Sequence, residues 1–193
     1  MLSTKSAQGR VIGVTSCVRR EGVSVVAANL AICAADLSPG KVLLVDANPR
    51  RAAVASRFGV RPSPGLADCL SGELAAQECI TGTTHENLFV LPAGPSDPHP
   101  GRFADARAIH LTENLRQDFE LIVIDLPPAS EMDETVLASQ LVDGFLLVLE
   151  SERTRRQVAQ RVKRQFEQVN ARVLGVVLNK RKNHIPGWLY HRL

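Results

Sequence analysis

Six short apolar runs, separated by segments long enough to form helices, constrain the fold of this chain more than any other feature. The runs are residues 11–15, 41–46, 88–91, 121–125, 144–149 and 173–178. Continuous apolar runs of this length are typical of strands that are buried on both faces, and helices between them make neighbouring strands parallel. The pattern therefore predicts an α/β fold with three layers, in which helices cover both faces of a mostly parallel central sheet.

No repeat, linker or low-complexity tract divides the chain. Its 193 residues suit one domain with one sizeable core. Polar and apolar residues alternate with helical spacing over residues 25–35, 102–116 and 154–169. The Pro- and Gly-rich stretches 61–65 and 91–101 are interpreted as loops. We predict a single domain over residues 1–193, in which 1–9 and 183–193 form peripheral tails.

Composition excludes several classes of protein. The formal net charge of +3 is too small to indicate a nucleic-acid partner. The apolar runs are too short to span a bilayer, and the polar N-terminus has no signal-peptide core. Four scattered cysteines without a C-x-x-C pair are interpreted mainly as small core residues, with a metal or redox role as the alternative: Cys17, Cys33, Cys69 and Cys79. These observations predict a cytoplasmic protein.

Two aspartates directly follow apolar runs. Asp46 ends the second predicted strand and Asp125 ends the fourth. Ligands of open parallel sheets bind at the carboxyl ends of the strands. One such aspartate is usually a turn former or a helix cap, but two of them behind a strand–loop–helix start favour a functional site as much as a structural one.

The loop after the first strand is half of a phosphate-binding motif. Against the template G-x-x-x-x-G-K-[ST], Gly22 and Ser24 match, whereas Cys17 and Val23 do not. The loop follows a strand and precedes an Ala-rich helix, which is the context that the motif requires. Backbone N–H groups at such a helix start favour phosphate.

Several motifs, in order, resemble the bacterial tyrosine kinases of capsule and exopolysaccharide synthesis, a family within the P-loop superfamily of chromosome-partitioning and septum-positioning ATPases. The matching segments are EGVS at 21–24, AANLA at 27–31, VLLVDANPRR at 42–51, PGLAD at 64–68 with Leu70, Gly72 and Glu73, LPAGP at 91–95, IVIDLPP at 122–128, and GVVLNK at 175–180. They cover nearly the whole chain.

The resemblance implies ATP or ADP and Mg²⁺ as cofactors, and it implies roles for particular residues. The nucleotide site would comprise Arg19, Arg20, Glu21, Gly22, Val23, Ser24, Val25 and Asn179, with Asn179 at the adenine edge. Asp46 and Asp125 would be the catalytic carboxylates, and Ser24, Asp46 and Asp125 the residues around the metal. Hard oxygen ligands of this kind suit magnesium.

The chain departs from the family pattern at the phosphate loop. Val23 stands where the family has the lysine that supplies charge to the β and γ phosphates during transfer. Arg20 stands at a family glycine, and Asn48 where many relatives have a second aspartate. The favoured interpretation is a degenerate loop in a retained fold. The alternative is that Arg19 or Arg20 replaces the missing charge.

The C-terminal third carries basic clusters. Arg153, Arg155, Arg156, Arg161, Lys163 and Arg164 fall on one predicted helix, which indicates a solvated face more than a binding surface. Trp188 and Tyr190 lie among cations in the tail, where they could dock on an anionic membrane or a partner, or pack on the domain. Relatives usually have a tyrosine-rich tail, but Tyr190 is the one tyrosine of this chain. Autophosphorylating rings are therefore not expected.

These observations predict a weakly active or non-catalytic regulator of exopolysaccharide or capsule synthesis or export. Its expected partner is the cytoplasmic segment of a transmembrane polysaccharide co-polymerase or adaptor. Its expected location is the cytoplasm or the inner face of the membrane, and assembly with further copies stays open. The alternatives are an active ATP-dependent tyrosine kinase and a partitioning-type ATPase. No nucleic-acid partner is expected.

Overall fold

A central β-sheet organises the protein. The computed structural model describes residues 9–95, 106–131 and 141–182. In these ranges the strands are β1 (Arg10–Ser16), β2 (Val42–Asp46), β3 (Thr81–Gly82), β4 (Leu88–Leu91), β5 (Leu121–Asp125), β6 (Gly144–Glu150) and β7 (Val173–Asn179). Their order in the sheet is β3-β4-β2-β5-β1-β6-β7, and every pair is parallel except β3 with β4. The prediction of a mostly parallel sheet is confirmed.

Helices cover both faces of the sheet, as predicted. They are α1 (Val23–Leu37), α2 (Val54–Phe58), α3 (Leu66–Ser71), α4 (Ala76–Cys79), α5 (Ala106–Asp118) and α6 (Arg156–Gln168), with 3₁₀ turns at Pro49–Arg51 and Ala129–Glu131. No helix in the described ranges is both long enough and apolar enough to cross a bilayer.

The hydrophobic cores on the two faces of the sheet differ in the size of their side chains. Ala27, Ala28 and Ala31 of α1 are buried in one cluster that includes Val14 and Leu44. Small side chains allow a helix to approach the sheet closely, and α1 follows the site loop directly. The other cluster holds the larger side chains, among them Leu43, Ile122, Leu115, Phe145 and Phe166. The rings of Phe145 and Phe166 lie 4.7 Å apart and join β6 to α6.

Two strands differ from the sequence-based expectation. β3 was not predicted, because a two-residue antiparallel strand has no apolar pattern of its own. β7 was expected to be buried on both faces, but Leu174, Val176 and Leu178 are exposed by 42%, 54% and 67%. β7 is the last strand in the sheet order, and these three residues alternate along it, so one face of this edge strand is left exposed. An aliphatic run therefore marks a strand without showing that both of its faces are covered.

Other predictions are placed as follows. Cys17 and Cys79 are buried, Cys69 is half-buried and Cys33 is exposed, and all four thiols are free. Arg155, Arg156, Arg161, Lys163 and Arg164 are exposed on or beside α6, whereas Arg153 precedes this helix and pairs with Glu150. The tail with Trp188 and Tyr190 lies outside the described residues.

The sheet order brings the predicted site together. β5 lies between β1 and β2, so that the carboxyl ends of the three strands are adjacent. Asp46 and Asp125 are direct partners in the β2–β5 register. The loop that follows β1 enters α1 at the same edge of the sheet.

Candidate functional site

The loop between β1 and α1 has a backbone that is fitted to its surroundings. Gly22 has φ +95° and caps the start of α1. A Cβ added at this position would come within 2.1 Å of the Asn179 amide nitrogen, so the position requires glycine. Arg20 also has a positive φ, +69°. The loop therefore keeps the turn that a family glycine would make there, at the cost of a conformation that L-residues rarely adopt.

Glu21 holds this loop in place. Its side chain is buried, and its carboxylate accepts hydrogen bonds from the backbone N–H of Val18 (2.9 Å), the backbone N–H of Glu150 (3.2 Å) and the hydroxyl of Thr154. These donors satisfy the buried carboxylate. Because Glu150 is the last residue of β6, the hydrogen bond from its N–H joins the loop to the end of this strand. Sequence reasoning placed Glu21 among the nucleotide-binding residues; in the structure its described hydrogen bonds support the loop, and it is not in the cleft lining.

Asn179 and Lys180 brace the loop from the end of β7. The Asn179 side-chain amide donates to the Glu21 carbonyl at 2.8 Å. Lys180 donates to the Arg20 carbonyl, and its ammonium lies 3.1 Å from the Glu150 carboxylate. Asn179 was expected at the adenine edge. It lies against the loop, and its described hydrogen bond is to the loop backbone.

Asp46, at the end of β2, is fully engaged by backbone groups. Its carboxylate accepts from the N–H of Asn48 (3.1 Å), Ala53 (3.0 Å) and Val54 (3.1 Å). Burial raises the pKa of Asp46, and these three hydrogen bonds oppose that rise. The contacts fix the start of α2 to the sheet, which is a structural use of this carboxylate.

Asp125, at the end of β5, is buried but has no such partners. Burial raises its pKa to about 7, while Ser24, which approaches it, and the charge of Arg57 lower the pKa in part. Neither carboxylate oxygen completes a hydrogen bond with a described residue. Buried polar atoms normally have partners, so a missing partner at a predicted metal corner is consistent with a hydrated Mg²⁺. Ser24 and Asp125 therefore fit this ion.

An open cleft of about 390 Å³ lies over the loop. Its lining includes Ser16, Arg19, Arg20, Gly22, Val23, Ser24, Val25, Asn48, Arg50, Arg51, Ala53, Arg57, Leu126, Pro128 and Glu131. Six of the eight predicted nucleotide-site residues are in this set; Glu21 and Asn179 are not. Val23 lines the cleft with an aliphatic side chain, where the family lysine would present an ammonium group.

Cations dominate the cleft wall. Five arginines line it, against the single carboxylate of Glu131 in that lining. Arg19 forms a two-pronged ion pair with Glu131, including a contact of 2.9 Å from Nη2 to Oε2. The hydrogen bond from Arg19 holds the pKa of Glu131 below its usual range, and the charges of Arg51 and Arg50 act in the same direction.

Sequence reasoning missed part of this wall. Arg57 and Glu131 were not predicted as site residues, and Arg50 and Arg51 were noted as part of a motif without a role. Arg57 lies eleven positions after Asp46, and only the turn fixed by Asp46 brings α2 over the loop. Among the described residues, no cluster of three or more His, Cys, Asp and Glu side chains could hold a metal ion.

Comparison with known proteins places this site in a family. No family model matches the chain. The chain is 30% identical over 175 residues to the tyrosine-protein kinase CpsD of Streptococcus agalactiae, covering 90% of this chain and 75% of that protein. It is 31% identical over 178 residues to the succinoglycan biosynthesis transport protein ExoP of Rhizobium meliloti, covering 90% of this chain and 22% of that protein.

Solved structures agree with these relatives. The kinase domain of VpsO superposes with a TM-score of 0.85 at 31% identity, covering 90% of this chain and 86% of that one. The septum site-determining protein MinD of Pyrococcus horikoshii, complexed with Mg-ADP, shares the fold with a TM-score of 0.75 at 24% identity, covering 95% and 76%. The chain therefore belongs to the family of bacterial tyrosine-protein kinases of capsule and exopolysaccharide biosynthesis, within the P-loop superfamily that includes MinD.

Proposed function

We propose that this chain is a weakly active or non-catalytic regulator of exopolysaccharide or capsule synthesis or export. The observation that carries the proposal is Val23, which lines the phosphate cleft in place of the family lysine. The loop backbone around it is well supported by Glu21, Asn179 and Lys180. The change at position 23 therefore alters the charge of the cleft in a loop whose backbone is still held by the rest of the protein.

The absence of the lysine should reduce catalysis more than it reduces nucleotide binding. Phosphoryl transfer depends on cations that meet negative charge on the transferring group. Removal of one preorganised group of this kind commonly costs about 3–4 kcal/mol of transition-state stabilisation. The bonding of Asp46 to three backbone amides adds to the loss, because its carboxylate has little capacity left for substrate or metal.

The remaining parts of the site support weak binding of a magnesium nucleotide. Ser24 lies in the cleft, and the unpartnered Asp125 lies beside it. A bound Mg²⁺ would neutralise phosphate charge in this position. We expect the dissociation constant for Mg-ATP to exceed about 100 µM, which corresponds to less than about 5.5 kcal/mol of binding free energy.

The proposed partner is the cytoplasmic segment of a transmembrane polysaccharide co-polymerase or adaptor. ExoP, a transport protein, has a region similar to this chain that accounts for only 22% of its length. A domain of this kind thus works next to other chain segments in at least one relative. The exposed arginines of α6 and of the adjoining loop offer a basic surface for a partner or for the inner membrane face.

An active tyrosine kinase is the second candidate, and the five arginines of the cleft favour it. They provide positive charge near the phosphate loop despite Val23. A partitioning-type ATPase is the third candidate, supported by the fold that the chain shares with MinD. The modest net charge of +3 gives little support to a DNA partner.

Two measurements on the purified chain distinguish these functions. The first is titration with Mg-ATP and Mg-ADP. The second is phosphate transfer from ATP to Tyr190 and to a synthetic tyrosine copolymer, compared with the Val23→Lys variant. We expect no transfer above background for the natural chain and at least a tenfold gain in Mg-ATP affinity for Val23→Lys, since a cation contact to phosphate is worth about 1.4 kcal/mol or more.

A low-micromolar dissociation constant for the natural chain, or tyrosine phosphorylation at a rate typical of kinases, would sink the proposal of a non-catalytic regulator. Val25→Lys is the matched control, because it adds the same charge at an exposed cleft position two residues away. It should change affinity by less than the Val23→Lys variant does.

A further inference from the structure

Three of the five arginines that line the cleft lie outside the phosphate loop: Arg50, Arg51 and Arg57. Arg57 belongs to α2, which is distant from Val23 and Ser24 along the chain, yet it lines the same space as these residues. A cation that replaces the lysine must reach the β and γ phosphates of a nucleotide bound at the loop.

The two arginines within the loop are poorly placed for this task. Arg19 is engaged by both oxygens of Glu131, and its side chain is 56% exposed. Arg20 is exposed, its backbone lies in the left-handed region, and its carbonyl accepts a hydrogen bond from Lys180. The alternative that one of these residues replaces the lysine has little structural support.

The arginines of the 3₁₀ turn act on a different carboxylate from Arg57. Arg50, Arg51 and Arg57 are all exposed, and the charges of Arg50 and Arg51 act on Glu131. Arg57 lines the cleft together with Ser24, and its charge acts on Asp125, which is buried beside Ser24. Of the five cations that line the cleft, Arg57 is therefore the one whose charge reaches the corner where Mg²⁺ and the terminal phosphates would meet.

The position of Arg57 is fixed by the sheet. The carboxylate of Asp46 binds the N–H groups of Ala53 and Val54 and thereby anchors the first turn of α2. Val54 is fully buried and Ala55 is nearly so. Gly59 and Val60 close the helix through hydrogen bonds to the carbonyl of Ala55. Arg57 thus projects from a short element that is held at both ends.

No ion pair of Arg57 is found among the described residues, so its guanidinium is available to a ligand. Guanidinium groups bind phosphate through two parallel N–H···O contacts and remain charged at all physiological pH values. The combination of place, anchoring and availability is what a phosphate-binding residue requires.

We infer that Arg57 replaces the phosphate-loop lysine as the cation that contacts the terminal phosphates of a magnesium nucleoside triphosphate in this cleft. The inference rests on the proposed function only for the identity of the ligand. Arg57 supplies its charge from α2, while position 23 of the phosphate loop still holds the uncharged Val23. Arg57 therefore supports nucleotide binding without restoring the loop cation that phosphoryl transfer uses.

The test is a titration of the full chain with Mg-ATP and with Mg-ADP, followed by amide chemical shifts in two-dimensional NMR, which also report whether each variant is folded. Arg57→Ala should weaken Mg-ATP binding about tenfold and Mg-ADP binding about threefold, because the terminal phosphate is the group that is contacted. Arg57→Lys should keep affinity within about threefold of the natural chain. Arg61→Ala, a change to an exposed arginine outside the cleft lining, should have no effect beyond twofold.

A double-mutant cycle with Val23→Lys sharpens this test. If Arg57 performs the lysine's task, a lysine at position 23 should raise affinity at least threefold more in the Arg57→Ala background than in the natural chain. Equal gains in both backgrounds would mean that the two cations act independently, and they would overturn the inference.

The outcomes separate this inference from the proposed function. If the natural chain binds Mg-ATP and Arg57→Ala binds it equally well, the role of Arg57 is rejected and the regulator proposal stands. If the natural chain shows no shifts with 10 mM Mg-ATP, on the order of the weakest binding that such a titration detects, the role of Arg57 is also rejected. Robust tyrosine phosphorylation would reject the regulator proposal, whereas a selective loss in Arg57→Ala would still support the role of Arg57.

Discussion

The ends of β2 and β5 hold the same residue type in opposite circumstances. Asp46 and Asp125 are register partners on neighbouring strands, and both side chains are buried. Asp46 accepts three backbone hydrogen bonds, whereas Asp125 completes none with the described residues. Burial is the main cause that raises the pKa of each carboxyl. Two aspartates at the same edge of one sheet are thus used differently: Asp46 anchors α2, and Asp125 is buried beside Ser24 without a completed hydrogen bond.

The difference explains how the site can keep its shape after losing its lysine. The wall that carries Arg57 depends on Asp46, and the loop depends on Glu21. Neither support involves Val23. A substitution at position 23 therefore changes the charge of the cleft without disturbing either wall. Asp125 retains an unmet capacity for ligands because no described residue completes a hydrogen bond to its carboxylate.

Removal of the Asp46 carboxylate should produce the largest effect on stability. Asp46→Ala leaves three backbone N–H groups without their acceptor, and each buried unsatisfied donor costs about 1–3 kcal/mol, so we expect a loss of about 4 kcal/mol in the free energy of unfolding. Urea denaturation measures this loss. Asp118→Ala, at an exposed position of α5, is the control and should change stability by less than about 0.5 kcal/mol. A loss of similar size in both variants would contradict a structural role for Asp46.

Asp125→Asn should stabilise the protein at neutral to alkaline pH, in contrast to Asp46→Ala. Burial raises the pKa of the native Asp125 carboxyl to about 7, whereas in the unfolded chain this carboxyl has its ordinary pKa of 3.8. The native state therefore binds more protons between these values, and stability of the natural chain falls as pH rises from about 4 to about 7. The pKa of Asp46 is also raised, so that residue contributes to the same slope.

The asparagine cannot ionise, so the variant should lose most of this slope. We expect Asp125→Asn to be less stable than the natural chain by about 1–2 kcal/mol at pH 4, where a buried amide replaces a protonated carboxyl, and more stable by about 2–3 kcal/mol at pH 8. Denaturation at both pH values in the absence of Mg²⁺ measures the difference. An unchanged slope in the variant would show that Asp125 is not the group that titrates.

The sequence predicts the framework of the site well, because the framework depends on local patterns. The apolar runs that end at Asp46 and Asp125 specify strands and their carboxyl ends, and the loop before α1 is visible from Gly22 and Ser24. The comparison with known proteins confirmed the predicted family. The six predicted strands were all found, because aliphatic runs bounded by polar residues are a strong local signal.

The use of each side chain could not be read in the same way. Asp46 and Asp125 have the same sequence context, and only the path of the chain through α2 decides which of them meets backbone amides. Arg57 and Glu131 reach the cleft through contacts across distant segments of the chain. Asn179 fits its motif, yet the described bond is to the loop backbone, which depends on β7 lying close to the loop. The role of the tail with Trp188 and Tyr190 stays a prediction.

The smallest expected effect is that of removing the charge of Glu131. The Glu131→Gln variant tests whether this carboxylate matters more for the charge of the cleft or for the stability of the protein. Glu131 is paired with Arg19, whose side chain is 56% exposed, and exposed pairs contribute about 0.2–1 kcal/mol. Glu131→Gln should therefore change the free energy of unfolding by less than about 1 kcal/mol. The same substitution removes the one carboxylate of the described cleft lining and releases Arg19.

An added positive charge near the phosphates should raise Mg-ATP affinity about threefold at 0.1 M salt, and the gain should shrink at 0.5 M salt, where screening is stronger. The titration used for Arg57 measures both values. Glu86→Gln, at an exposed position outside the cleft lining, is the matched control and should leave affinity unchanged. A weaker affinity in Glu131→Gln would mean that the ion pair with Arg19 orders the loop for binding. The acidic rim would then act as a support for the phosphate site, and the charge of the cleft would count for less than the geometry of its walls.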